Sequence, residues 1–212
     1  MAESGALDGP GDRFLNPDAH RAGNRTSVSS VSEYVLNGPD ISLEMPVVPA
    51  TDGESGIDAS KLLATTGHVA LDGGFVNTAS CTSAITYIDG NRGILRYRGY
   101  PIEQLAEKSS YLETSYLLIY GELPTPEQLA DFDSRLRMHT ILHEDLRRFF
   151  DGFPRDAHPM PVLSSAVSAL STFYQDSLDP FDPEQVEIST IRLLAKVPTI
   201  AAYAHRTSLG QP

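Results

Sequence analysis

The sequence predicts a mainly α-helical protein that opens with a small β-rich module. Before residue 100, apolar residues alternate and turn dipeptides recur, which is strand and hairpin chemistry. After residue 101, apolar residues recur at helical spacing, punctuated by cap residues and by prolines at helix starts. A third observation bounds the class: 41% of the 212 residues are apolar and 21% are charged, enough to bury a core.

Residues 1–27 carry few large apolar side chains and are expected to form a flexible tail. Residues 28–100 are expected to form the β-rich module. In "VSEYVLNGPDISLEMPVV", Ile41, Leu43, Met45 and Val47 alternate behind an "NGPD" turn, which predicts a hairpin. A short helical pattern follows over 58–64. "SAITYI" and "GILRYR" then flank "DGN" and predict a second hairpin.

Residues 101–212 are expected to be helical. Pro101 takes a first-turn position before "IEQLAEK". "YLETSYLLIYG" predicts a mostly buried helix stopped by Gly121. Thr125, Pro126 and Gln128 supply an N-cap, a first-turn proline and a capping-box partner, ahead of Leu129, Phe132 and Leu136. Leu142, Leu146 and Phe149 continue a helix after His139. "PMPVLSSAVSALSTFYQD" places Leu163, Val167, Leu170 and Tyr174 on one face. Asp182 and Pro183 open a last helix. Pro198 removes one of its backbone hydrogen bonds and is expected to kink it. Ala195, Ala201, Ala202 and Ala204 leave room for another helix to approach closely.

Charge and cysteine usage narrow the function classes. Sixteen basic against 28 acidic residues give a net charge of −12, which argues against a nucleic-acid partner, since phosphate neutralisation dominates that affinity. The lone Cys81 excludes an intrachain disulfide framework and favours a reducing compartment. "MAESGALDGPGD" has neither the basic nor the apolar region of a signal peptide, and no apolar run reaches the roughly 20 residues of a membrane span. The expected location is the cytoplasm.

The chemistry-bearing residues do not assemble into an active site along the chain. "IDGNRGILRYRGYP" holds three glycines and Arg92, Arg96 and Arg98, yet lacks any phosphate-loop spacing, so a hairpin turn is the simpler reading. Arg96 and Arg98 alternate and should share a sheet face, where they bind a carboxylate ligand or form structural ion pairs. His139 and His143 are spaced i, i+4, which puts both imidazoles on one helix face, a spacing metal sites use; without the HExxH order of a zinc protease they read as hydrogen-bonded or surface histidines, and no metal site is expected. His158 reads as a catalytic base or as a structural residue at a helix entry. Cys81 reads as a small packed thiol. Asp151, Asp156, Asp176 and Asp179 read as caps and loop solvation.

The order of segments carries more. "GFVNTASCTSAITYIDGNRGILRYRGYPIEQLAEKSSYLETSYLLIYGELPT", "HTILHEDLRRFF", "RDAHPMPVL", "FYQDSLD" and "RLLAKVPTIAAYAHRTSLGQP" closely resemble the opening half of bacterial type II citrate synthases, over residues 40–212. The resemblance implies a β-rich N-terminal region followed by part of a helical large domain, in a homodimer or homohexamer. It implies a Claisen condensation of acetyl-CoA with oxaloacetate to citrate and CoA, the first step of the tricarboxylic acid cycle, with acetyl-CoA as substrate and no cofactor. A close variant is 2-methylcitrate synthase, which uses propionyl-CoA; a third reading is a non-catalytic acidic helical binding module. The family's catalytic motifs, "HADHEQN"-like and "GPxHGG"-like, are absent from these residues and are expected downstream of Pro212. The chain alone is therefore expected to be inactive and to self-associate through bare apolar faces. The resemblance also implies an inhibitory NADH site over Met138, His139, Thr140, Tyr174, Arg192 and Lys196. Met138 departs from the arginine of NADH-sensitive members, so weak or absent nucleotide binding is expected. The alternative is that Arg192 and Lys196, one turn apart, simply face solvent.

Overall fold

The computed structural model describes residues 32–211. The expected tail over 1–27 lies outside the described residues. The chain divides into two compact units, Met1–Thr125 and Pro126–Pro212.

The first unit begins with the expected hairpin. β1 (Glu33–Asn37) pairs antiparallel with β2 (Ser42–Val48), with Glu33 opposite Pro46 and Asn37 opposite Ser42. The Gly38 N–H donates to the Ile41 carbonyl at 2.7 Å and closes the turn. Alternation holds along β2: Leu43 is buried, Met45 and Val47 are half-buried, and Glu44 and Pro46 face water. β3 (Gly56–Ile57) adds to the free edge of β2. The short helix α1 spans Leu62–Thr66. It starts later than the 58–64 pattern because the Asp58 carboxylate accepts the Ser60 N–H at 2.9 Å and holds a turn first.

The second hairpin joins β4 (Thr86–Asp89) to β5 (Ile94–Tyr97), and β6 (Tyr100–Pro101) completes a three-stranded sheet. Asp89 accepts the Arg92 N–H at 3.0 Å, and Gly93 takes φ 67°, so the glycine-rich stretch is a turn. Arg98 departs from expectation. β5 ends at Tyr97, and Arg98 (φ 50°) with Gly99 (φ 90°) forms a two-residue turn in which both residues have positive φ. Arg98 therefore does not share a sheet face with Arg96. Arg96 pairs with Asp52 at 2.7 Å, whereas Arg98 donates to the Leu118 carbonyl at 2.8 Å.

Two helices complete this unit: α2 (Ile102–Lys108) and α3 (Tyr111–Tyr120). Pro101 sits one residue earlier than expected, as the N-cap with ψ 138°. Ser110 and Glu113 form a reciprocal capping box at the start of α3, and Gly121 at φ 94° ends it. Only Glu113 and Leu117 of α3 are buried, so the helix is less enclosed than its composition suggests. Leu105 and Leu117 pack against Tyr97 and Tyr100, which is why the compact unit runs past residue 100 to Thr125.

The second unit is helical. α4 (Pro126–Met138) buries Phe132 and Leu136, and packs on α7 (Pro183–Ser208). α5 (Glu144–Phe149) runs into a 3-10 turn over Phe150–Gly152, and α6 (Pro159–Phe173) packs along α7. The core gathers Leu142, Leu146, Phe150, Val162, Ala166, Leu170 and Ile200. On α6 the buried stripe is Val162, Ala166 and Leu170, with Leu163 and Val167 on its flanks; Tyr174 lies just past the helix end. α7 continues through Pro198 to Ser208, capped by Asp182, which accepts the Glu184 N–H at 2.9 Å. Ala195 and Ala204 meet neighbours as expected, while Ala201 and Ala202 are exposed.

Candidate functional site

The expected helix across His139 and His143 is interrupted. α4 stops at Met138, residues 139–143 are irregular, and His143 is the N-cap of α5, its Nδ1 accepting the Asp145 N–H at 3.2 Å. The two imidazoles therefore share no helix face. Among the described residues, no three His, Cys, Asp or Glu side chains come together as a metal cage. His158 does the same work at α6, accepting the Met160 N–H at 3.2 Å, which is the structural alternative for that residue. Cys81 is exposed rather than packed, because residues 77–83 form no regular element that could enclose it.

The residues of the suggested nucleotide site do converge, at the junction of α7 with the loop after α4 and the turn after α6. Lys196 is 2% exposed. Its ammonium donates to the His139 carbonyl at 2.7 Å and to the Ile141 carbonyl at 2.6 Å. It also lies 5.2 Å from the centroid of the Tyr174 ring. Thr199, three residues on, donates to the Thr140 carbonyl at 3.0 Å. These contacts satisfy loop carbonyls just beyond the C-terminus of α4, where a cation is favoured. The idea that Lys196 simply faces solvent is thus overturned.

Arg192, one turn earlier on α7, stacks over the same ring with its guanidinium carbon 4.5 Å from the centroid. Its fork holds both oxygens of Asp176, at 2.8 and 2.9 Å, and the Ser177 hydroxyl at 2.8 Å. Asp176 is held below the usual carboxylate range chiefly by that hydrogen bond from Arg192. His139 is held below the usual imidazole range by burial first, then by Arg192, Lys196 and Arg135. Sequence reasoning missed Asp176 and Ser177, the residues that engage Arg192. They lie 16 and 15 positions from it, and nothing in "FYQDSLD" marks the Asp as an ion-pair partner rather than a loop residue.

A separate cavity of about 490 Å³ opens between the start of α6 and the end of α7, walled by Phe150, Val162, Leu163 and Ala204 with Arg155 and His205 at its edge. It contains none of the expected nucleotide-site residues. No described helix is long and apolar enough to cross a membrane.

Two small antiparallel sheets and the helices that follow them define a mainly helical protein. Residues 74–212 match the family model described as "Citrate synthase, C-terminal domain", and the chain belongs to the citrate synthase family. It is 65% identical over 177 residues to Citrate synthase 1 of Mycobacterium tuberculosis (strain ATCC 25618 / H37Rv), covering 84% of this chain and 41% of that one. It is 52% identical over 181 residues to citrate synthase of Corynebacterium glutamicum, covering 85% and 41%. The crystal structure of citrate synthase from Thermotoga maritima MSB8 superposes with a TM-score of 0.57 at 33% identity, over 68% of this chain and 36% of that one. The chain thus spans about two fifths of the length of the curated relatives it matches.

Proposed function

We propose that this chain is the N-terminal portion of a citrate synthase, an acyltransferase that condenses acetyl-CoA with oxaloacetate to give citrate and CoA. The identity with Citrate synthase 1 across most of the chain carries this reading. In this chemistry a carboxylate takes a proton from the acetyl methyl group, and neighbouring imidazole and guanidinium groups stabilise the enol and polarise oxaloacetate. Those groups belong to family motifs that residues 1–212 do not contain, and no metal or cofactor is needed for them. We place the enzyme in the cytoplasm as a homo-oligomer. The hairpin of β1 and β2 supports acetyl-CoA over propionyl-CoA, since it corresponds to the β-rich region of the type II citrate synthases.

The test is CoA release, followed with a thiol reagent. The 212-residue chain is expected to give a rate equal to the blank with acetyl-CoA and oxaloacetate. The same residues within a polypeptide carrying the family's catalytic motifs are expected to turn over, faster with acetyl-CoA than with propionyl-CoA. Oxaloacetate-dependent release by the chain alone would refute the division of labour.

The cluster of His139, Thr140, Tyr174, Arg192 and Lys196 is a regulatory nucleotide site in this reading. Its two cations are already engaged, and Met138 beside it is 73% exposed and offers no donor. Weak or absent NADH binding is expected; micromolar binding by the full-length enzyme, measured by calorimetry, would count against it.

A further inference from the structure

We infer that Asn37 is a self-modification site: the backbone nitrogen of Gly38 attacks its side-chain amide, ammonia leaves, and the hairpin of β1 and β2 loosens from its turn end. Five asparagines occur in the sequence, and only Asn37 is followed by glycine. The reaction needs nothing beyond water. Gly38 N loses its proton to hydroxide and forms a bond to Asn37 Cγ. The Cγ–Nδ2 bond breaks, the departing nitrogen takes a proton from water, and a five-membered succinimide remains. Water then opens either carbonyl. The product is an aspartyl residue, or an isoaspartyl residue in which the main chain runs through Cβ and Cγ.

Asn77 and Asn91 show what sets Asn37 apart. All three are exposed and lie in or beside turns. In each case the attacking N–H is already engaged. Gly38 donates to the Ile41 carbonyl at 2.7 Å, Thr78 to the Phe75 carbonyl at 3.4 Å, and Arg92 to the Asp89 carboxylate at 3.0 Å. Releasing that bond is a cost common to all three. The following residue is not. Thr78 and Arg92 carry a Cβ that crowds the approach, and Thr78 is β-branched as well, whereas Gly38 has none and turns most freely. Asn37 has a second advantage. Ser42, opposite it in the ladder, donates its hydroxyl to Asn37 Oδ1 at 3.0 Å. Oδ1 is the oxygen that becomes negative as the nitrogen adds, so this bond strengthens in the transition state. The consequence follows from the sheet. Among the described strands, β1 has β2 as its one neighbour. An isoaspartyl residue lengthens the main chain at the position paired with Ser42 and adds a negative charge near Asp40, so that pair opens first.

The experiment ages the 212-residue chain at physiological temperature, from mildly acidic to mildly alkaline pH, and maps aspartyl and isoaspartyl products by peptide mass spectrometry. Modification is expected to be at least about tenfold faster at Asn37 than at Asn77 or Asn91, and to accelerate with pH as the attacking nitrogen loses its proton. Gly38→Ala is expected to bring Asn37 down to the rate of the other two. Gly38 lies outside the left-handed region, and an added Cβ would meet nothing closer than the Ile41 carbonyl oxygen at 3.8 Å, so the turn accepts alanine. Ser42→Ala is expected to slow the reaction about fivefold, the worth of one exposed hydrogen bond. Amide exchange across 33–37 is expected to be faster in the aged wild-type chain than in aged Gly38→Ala. Equal rates at the three asparagines overturn the site, as does a Gly38→Ala chain that reacts as fast as wild type. A Ser42→Ala chain that reacts as fast as wild type, or faster, overturns the part given to the hydroxyl. Unchanged exchange after modification is complete overturns the loosening of the hairpin.

Discussion

Phe150→Ala is expected to destabilise the chain by about 4 kcal/mol, and Phe149→Ala by less than about 1 kcal/mol, although the two phenylalanines are neighbours. Phe150 is 1% exposed and Phe149 is 37% exposed. The Phe150 ring stacks on Tyr203 of α7, with centroids 6.0 Å apart and planes 18° from parallel. It belongs to the core cluster that includes Leu146 of α5, Val162 and Ala166 of α6, and Ile200 of α7. Truncation there loses the transfer free energy of a whole ring and leaves a cavity lined by helices that cannot close on it. Phe149 meets Phe153 edge-on, at 5.2 Å, on the wet side of the same turn. Its loss leaves no enclosed cavity. Urea unfolding followed by circular dichroism, with unchanged slope and shifted midpoint, measures both variants. Equal costs would mean that the core is not built around Phe150.

The same pair of residues shows where sequence reasoning reaches its limit. Helical spacing from Leu146 reaches both Phe149, three residues on, and Phe150, four on, and the sequence reading takes Phe149. Phe150, which opens a 3-10 turn, is the enclosed one. Nothing local says which of the two neighbours faces the core. The hairpins were legible because alternation and turn residues are both local signals, and β2 and β4–β5 obey them. Arg98 was not, because "RYRG" looks like a continuing strand; the turn forms where Gly99 supplies a second positive φ beside it. The helix through His139 and His143 failed for a similar reason. Its four-residue spacing is compatible with a helix, but the segment is held open by donors 55 to 59 positions away. For the site, the family's spacing picked out Arg192 and Lys196, and their separation by one turn was visible. Their contrasting environments were not. An arginine on an exposed 3-10 turn partner and a lysine sealed under a tyrosine read alike in the sequence.

Lys196→Met tests that buried ammonium, and is expected to cost about 3 kcal/mol, with faster amide exchange across residues 140–142. Methionine keeps the unbranched stem and its packing on α7, so the change isolates the charged head. Two opposing effects decide the sign. Removing the ammonium relieves the cost of burying it, which is several kcal/mol for an unpaired ion. It also strands the carbonyls of His139 and Ile141, which now receive hydrogen bonds at 2.7 and 2.6 Å. Each stranded acceptor costs about 1–3 kcal/mol, and the charge-assisted bonds that satisfied them were stronger than neutral ones. The Tyr174 ring and the carbonyl end of α4 further offset the burial cost of the native cation, so the loss is expected to win. Thr199→Val removes the neighbouring bond to the Thr140 carbonyl and serves as the neutral comparison, at about 1 kcal/mol. Hydrogen exchange locates the effect: both variants should loosen the loop between α4 and α5, Lys196→Met more. If Lys196→Met proves as stable as the native chain, burial of the ammonium outweighs its hydrogen bonds, and the loop is held by packing rather than by the clamp.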